Sequence, residues 1–276
     1  TTTGTPRLGK ERTMTSNPRE IDILLVYPRP TKDSPVKLTP LSILFPGVLF
    51  KSQGMQVDYY DQRFDSDEEL ERLIRSSREI AVSAMTGYQT GQAADILMLA
   101  KKINPRIITG VGGHHTRILT QEVLREPFVD KVWADPVYGE HLFPYDEQTR
   151  KHFARTEMQY MTSRGCPYGC RFCALTSVWE PKEIDQLERE LTVIHNDIRF
   201  KTISFADPNI AHTRGKQGGE WVKVNNIERI RKIGDIMRAL DVTWVGNLRS
   251  PNLTPEMVEA LIYSKFTHIE IGCDSG

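Results

Sequence analysis

From residue 21 to residue 133, short apolar runs alternate with amphipathic stretches, and this alternation restricts the fold more than any other property of the chain. The first run, Ile21-Asp22-Ile23-Leu24-Leu25-Val26-Tyr27, is rich in β-branched residues and ends at Pro28 and Pro30, as a buried strand does. Further strands are predicted at 55–60, 80–85, 106–111 and 131–133. Helices are predicted at 41–53, closed by Gly54, at 65–77 with Leu70, Leu73 and Ile74 on one face, at 92–103, stopped near Pro105, and at 116–125. Strands separated by helices run parallel, with right-handed crossovers. Residues 19 to about 140 are therefore expected to form a doubly wound α/β sheet, with a ligand crevice at the carboxyl ends of its strands.

The loops at those ends are Tyr27-Pro28-Arg29-Pro30, Thr86-Gly87-Tyr88, Gly112-Gly113-His114-His115-Thr116 and Tyr138-Gly139-Glu140. Small residues at three of the four tips would let a bulky ligand approach the backbone. Glycines after strands also serve simply to turn the chain, so both readings stand at this point. Adjacent residues such as His114 and His115 suit a solvated turn better than a pair of metal ligands.

The second half repeats the pattern. Strands are predicted at 160–162, 202–206, 243–246 and 268–272. Helices are predicted at 181–196, with Pro181 in the first turn, at 227–240, and at 254–263, opened by Thr254 and Pro255. Residues 211–224 hold Gly215, Gly218 and Gly219 and read as a loop over the strand ends. This is β/α repetition of the barrel kind, whose active sites lie at the carboxyl ends of the strands.

Three of the four cysteines fall in Cys166-x-x-x-Cys170-x-x-Cys173, with Gly165, Pro167 and Gly169 allowing a tight loop. Thiolates converging in such a loop point to a metal. Zinc normally takes four protein ligands, and His152, the nearest histidine, lies upstream of a strand. A four-iron cluster held by three thiolates keeps one iron open, which is the stronger reading. A disulfide cluster is disfavoured, because three thiols cannot pair off and the polar residues 1–17 contain no apolar signal core. Cys273 reads as a small core-facing residue rather than a fourth ligand.

The stretch Thr162-Ser163-Arg164-Gly165-Cys166-Pro167, with Phe172 just before the third cysteine, resembles the signature of the radical S-adenosylmethionine (radical SAM) enzymes. Its longer form is similar to the subgroup that carries an N-terminal cobalamin-binding domain. Residues 1–18, rich in Thr, Gly, Pro and basic residues and without periodicity, read as a disordered tail, and the resemblance implies a Rossmann-like cobalamin-binding domain with linker at 19–150 and a partial radical SAM barrel at 151–276. Such barrels usually have six strands, and four are visible here, so the chain is expected to be part of a longer protein.

By the same resemblance, Cys166, Cys170 and Cys173 hold a 4Fe–4S cluster. S-adenosylmethionine lies near Phe172, Asp207, Asn209, Arg249 and Asp274. For Arg249 a surface ion pair is an equal reading. Cobalamin contacts Tyr27, Pro28, Ser83, Thr86, Gly112, Gly113, His114, Thr116, Gly139 and Glu140. Two departures matter. None of the seven histidines has Asp two residues before it, so no protein imidazole is expected on cobalt, and the family's Glu-Ser-Gly is here Asp274-Ser275-Gly276.

The implied activity is methyl transfer to an unactivated carbon, through a 5′-deoxyadenosyl radical and methylcobalamin. The substrate is a small molecule or peptide, and the electron comes from an external flavodoxin- or ferredoxin-like reductant. A cobalamin-dependent radical cyclase or ring-rearranging enzyme shares every motif quoted. A cobalamin- or cluster-binding sensor without turnover is the reading from another class. Lys+Arg and Asp+Glu are both 36, which points to no polyanion such as nucleic acid, and no membrane span is expected. A reducing cytoplasm suits free thiolates.

Overall fold

A computed structural model describes residues 20–32, 37–134, 143–168, 170–171, 173, 175, 179–211, 214–217, 220–223 and 226–272. The expectations for the tail, Gly139, Glu140, Phe172, Cys273 and Asp274 lie outside these residues.

The first half runs β1 (Ile21–Tyr27), α1 (Leu41–Ser52), β2 (Val57–Asp61), α2 (Asp67–Arg75), β3 (Ser77–Ser83), α3 (Tyr88–Ile103), β4 (Ile108–Gly112), α4 (His114–Ile118), α5 (Thr120–Val123) and β5 (Lys131–Trp133). Its five strands are all parallel, in the order β2-β1-β3-β4-β5. The order reverses between β1 and β3, and that switch point opens a crevice at the carboxyl ends. Alternate strand residues face opposite sides. Leu24, Val26, Ile80 and Val82 pack with Leu73 of α2 and with Ile96 and Leu97 of α3. Ile23, Leu25, Tyr59 and Ala81 face α1 and the second half of the chain.

The second half runs α6 (Arg150–Ala154), β6 (Gln159–Tyr160), β7 (Ser163–Arg164), β8 (Glu180–Pro181), α7 (Ile184–Ile198), β9 (Thr202–Phe205), β10 (Arg214–Gln217), β11 (Glu220–Lys223), α8 (Asn226–Ala239), β12 (Thr243–Leu248), a short 3₁₀ turn at Ser250–Asn252, α9 (Pro255–Tyr263) and β13 (Phe266–Ile271). Four strands form an open parallel sheet in the order β13-β12-β9-β6, and no closed barrel is formed among the described residues. Trp244 anchors it: its ring N–H donates to the Ser264 carbonyl at 2.7 Å, and its ring packs on Phe205 and Phe266.

One apolar core runs through both halves, from Ile23 and Leu25 through Phe45 and Tyr160 to Phe205 and Trp244. Thr39 ties the halves by hydrogen bonding. Its hydroxyl donates to the Glu157 carbonyl at 3.0 Å and accepts from the Gln159 amide at 3.2 Å.

Several boundaries differ from the sequence expectation, each for a local reason. β3 starts at Ser77 because its polar residues are paired: Arg78 reaches Glu20 and Asp22, and Glu79 accepts from Lys131 at 2.8 Å. The predicted helix at 116–125 is two short pieces broken at Leu119 (φ −124°, ψ 42°), in a stretch of weak helix formers with His, Thr, Ile and Val. Pro181 opens no helix. It pairs with Ser163 in a two-residue ladder, and α7 begins only at Ile184. Within the glycine-rich 211–224 stretch, β10 pairs antiparallel with β11.

His152, on α6, is wholly buried and stands edge-on to the Tyr59 ring at 5.6 Å, apart from the cysteines. Neither of its nitrogens has a hydrogen-bond partner among the described residues. Burial, followed by Lys151 and Arg155, pushes its pKa from 6.5 down to about 4, against the opposing pull of Asp61 and Asp65. The folded form thus binds fewer protons than the unfolded one between those values, so stability is complete above 6.5 and is lost as pH falls toward 4. The loss amounts to about 3 kcal/mol. Comparing denaturant midpoints of wild type and His152→Phe from pH 7 to 4.5 should show a smaller acid loss in the variant. Parallel curves would refute it.

Candidate functional site

At the β1/β3 switch point, between the two halves, lies a cavity of about 480 Å³. Its floor is small: Ala81, Ser83 and Ala84 at the end of β3, and Gly112 and Gly113 at the end of β4. Leu41, Ile43 and Phe45 of α1 form the facing wall, and Trp133 of β5 closes one side. The second half contributes Met161, Gly165 and Leu175 from the strand and loop that carry the cysteines, and Ala206 and Pro208 from the end of β9. One cavity therefore touches both regions singled out from sequence.

Local chemistry explains the floor. Gly113 has φ +100°, and a Cβ there would sit 2.6 Å from the Ala84 carbonyl oxygen, so the close approach of the β3 and β4 ends requires glycine. Ala84 donates to the Gly112 carbonyl at 2.8 Å, and His115 donates to the Ala84 carbonyl at 3.1 Å. Thr116, fully buried, donates to the carbonyls of Gly113 (2.8 Å) and Trp133 (3.1 Å).

Of the expected cobalamin contacts, Tyr27, Ser83, Gly112, Gly113 and His114 line the cavity. The Ser83 hydroxyl reaches across to Ser42 of α1 at 2.9 Å. Burial pushes the Tyr27 phenol up, against the Arg63 guanidinium 4.5 Å from its ring centroid. Pro28, Thr86 and Thr116 are not in the lining. Pro28 accepts from the Gln89 side chain at 2.8 Å, and Thr86 pairs with His115 Nδ1 at 3.2 Å, so these residues brace the rim. His114 is exposed at the edge.

The cysteine loop leaves β7 through Gly165, whose φ of +66° again calls for glycine. Cys166 and Cys170 are half-buried, Cys173 is exposed, and all three are free thiols. Burial pushes Cys166 up, and its neighbours Cys170 and Cys173 add to that rise while Arg249 opposes it. The Arg249 guanidinium stacks 4.1 Å from the Tyr168 ring centroid, inside the cysteine loop. Among the described residues no three His, Cys, Asp or Glu side chains are arranged to hold a metal ion.

Asp207 and Asn209 stand at the end of β9 but outside the lining. Asp207 is fully buried, with its carboxylate on the backbone and hydroxyl of Thr162 and the hydroxyl of Ser163. Asn209 donates to Asn252 at 3.1 Å and accepts from the Arg249 amide at 3.3 Å.

Sequence reasoning missed the α1 wall, Gln89, Trp133, Met161 and Leu175. Gln89 accepts from the Met85 amide at 2.8 Å while donating to Pro28, and so joins two tips. A signal for α1 was present, since an apolar helix following the first strand must cover the sheet. Met161 and Leu175 reach the cavity only through docking of the two halves, which no local pattern encodes.

Residues 32–141 match the family model described as the B12 binding domain. Over 139 residues the chain is 25% identical to the uncharacterized methyltransferase PH0819 of Pyrococcus horikoshii, covering 49% of this chain and 28% of that protein. Among solved structures it resembles the radical S-adenosylmethionine methyltransferase TsrM of Kitasatospora setae with cobalamin and 4Fe–4S cluster bound, with a TM-score of 0.65 at 12% identity, covering 91% of this chain and 60% of that one. The same enzyme with tryptophan substrate and a SAM analog gives 0.60 at 13% identity. The chain thus spans 28% of PH0819 and about 60% of TsrM, less than two thirds of either, and the structural likeness to TsrM shows the α/β fold. Among the described residues no helix is long and apolar enough to cross a membrane.

Proposed function

We propose that this chain is the cofactor-binding part of a cobalamin-dependent methyltransferase of the radical SAM type, in which the residues that would hold cobalamin and those of the loop that would hold a 4Fe–4S cluster border one cavity. The observation that carries this reading is the shared cavity, floored by the small residues of β3 and β4 and bordered by Gly165 and Leu175 of the cysteine loop. The B12-binding match at 32–141 supports cobalamin. An apolar slot with a floor of Ala, Ser and Gly at a sheet switch point suits a flat heteroaromatic tail. The donor set of three free thiols in one loop suits a cluster with one open iron.

When bound, these groups and S-adenosylmethionine supply one-electron cleavage and methyl donation. The chain's own work is to bind, orient and keep dry. Leu41, Phe45, Trp133 and Met161 exclude water from the crevice. Gln89 fixes the spacing of the β1 and β3 tips. Arg249, stacked on Tyr168, offers its fork to the carboxylate of the methionine moiety. The substrate is a small molecule or peptide, and an external reductant supplies the electron.

Replacing Arg249 with Ala should weaken S-adenosylmethionine binding about tenfold, and Lys should restore little of it, since the planar fork and the stacking are both lost. Titration into cluster-loaded protein checks this, with iron content unchanged; equal affinity in the three proteins would remove Arg249 from the site. The function itself is tested by incubating the reconstituted chain with S-adenosylmethionine, cobalamin and reductant. Release of 5′-deoxyadenosine and cobalamin demethylation with a substrate present support an enzyme. Stable binding of both groups with neither product supports a sensor.

A further inference from the structure

The cysteine loop enters the fold at Thr162 and Ser163 and leaves it at Lys182, and a buried polar network joins those two feet to β9 and α8. On one side Asp207, wholly buried, accepts from the Thr162 amide (2.8 Å), from the Thr162 hydroxyl (2.8 Å) and from the Ser163 hydroxyl. On the other, Arg229 of α8 donates to the carbonyls of both feet, Thr162 and Lys182, at 2.9 Å each. The feet also bond directly, Lys182 amide to Thr162 carbonyl, at 3.0 Å. Lys182 is itself buried, donating to Glu190 at 2.7 Å and to Tyr160 at 3.2 Å.

This arrangement is costly to build. Burial pushes the Asp207 carboxyl up, against the pull of Ser163, Thr162 and Arg229, and pushes Lys182 down. Well-packed apolar residues commonly stabilise a core as much as buried charges do, so stability alone is a weak reason for this network. Its location is more specific. Asp207 does not reach the cavity, although its neighbours Ala206 and Pro208 line it, and every hydrogen bond described for its carboxylate goes to the entry foot of the loop. A carboxylate with three donors and a guanidinium bridging two carbonyls fix both the direction and the spacing of the feet.

We propose that Asp207 and Arg229 are positioning residues that clamp the neck of the cysteine loop, and so set where Cys166, Cys170 and Cys173 stand relative to one another beside the cavity that Gly165 and Leu175 of the same loop line. This rests on the reading of those cysteines as cluster ligands. It gives Asp207 a role behind the loop, in place of direct contact with S-adenosylmethionine. Neither clamp residue touches iron, and both act through Thr162, Ser163 and Lys182.

The test uses the full chain. In cluster-free protein, hydrogen–deuterium exchange of peptides covering 160–183 should rise about tenfold or more in Asp207→Ala and in Arg229→Gln, while peptides from β1 to β4 keep wild-type rates. After anaerobic reconstitution, retention of iron against a chelator should fall about tenfold, and the electron paramagnetic resonance spectrum of the reduced cluster should change. Asp207→Asn keeps an oxygen for the Thr162 amide and offers an N–H₂ that the two hydroxyls can accept. It is expected to restore most of the protection and the wild-type spectrum.

Wild-type exchange at the feet with an unchanged spectrum in both Asp207→Ala and Arg229→Gln overturns the clamp. So does exchange that rises uniformly through the second half with no excess at the feet. If Asp207→Ala fails to fold by circular dichroism, Arg229→Gln and Asp207→Asn decide by the same readouts. Wild-type iron content in a chain lacking all three cysteines defeats the cluster reading instead, and leaves the exchange data to judge the network separately.

Discussion

Changing Cys166, Cys170 or Cys173 singly to Ala is expected to reduce reconstituted iron from about four atoms per chain to nearly none. Three thiolates leave one iron of the four open, so removing any one leaves a second iron without a protein ligand. Glu190 and Asp207 cannot substitute, because each is already engaged away from the cavity, with Lys182 and Tyr160 or with Thr162 and Ser163. Cys273→Ala is the control and should keep full iron and sulfide. Iron and acid-labile sulfide per chain, measured anaerobically, decide the matter. A single variant with wild-type content would remove that cysteine from the ligand set.

The second large effect is expected in the slot. Ser83 points across it, its hydroxyl 2.9 Å from Ser42 on the facing helix, so Ser83→Phe would place a ring where the ligand tail is proposed to lie. Cobalamin affinity should fall about a hundredfold or more. Ser83→Ala removes one hydrogen bond and should cost only about 1 kcal/mol. Thermal melting in the absence of cobalamin checks that the larger side chain leaves the fold intact. Equal affinity in wild type and Ser83→Phe would move the ligand elsewhere.

Much of this was legible beforehand, for identifiable reasons. Ile21–Tyr27 and Lys131–Trp133 were read as strands with their observed limits, because an apolar run bounded by Pro, Gly or charged residues has few alternatives. The start of β3 was not, because Ser77, Arg78 and Glu79 look like a turn until Glu20, Asp22 and Lys131 arrive from elsewhere to pair with them. The antiparallel pairing of β10 with β11 is hard to read from sequence, because glycines in such a stretch signal loops as readily as strands. The strand order 2-1-3-4-5 is set by crossovers and cannot be read from periodicity.

At the site, Gly112, Gly113 and Ser83, which the sequence places at the strand ends, line the cavity. Thr116 and Pro28 fell in the same loops but brace them, a difference that depends on which way a side chain or carbonyl turns. Asp207 illustrates the limit most clearly. Its position after β9 marked it as important, yet only its three donors reveal that it faces the loop's root rather than the cavity.

If the cobalamin slot and the cysteine loop serve one cavity, cobalt and cluster stand close enough for their electron spins to couple. Electron paramagnetic resonance of the chain carrying both cob(II)alamin and the reduced cluster tests it directly. The account predicts dipolar broadening or splitting of the cobalt signal when the cluster is reduced, which disappears in Cys170→Ala, where cobalamin remains and the cluster is lost. A cobalt spectrum identical with and without the reduced cluster, in protein shown to hold both, would contradict the shared cavity.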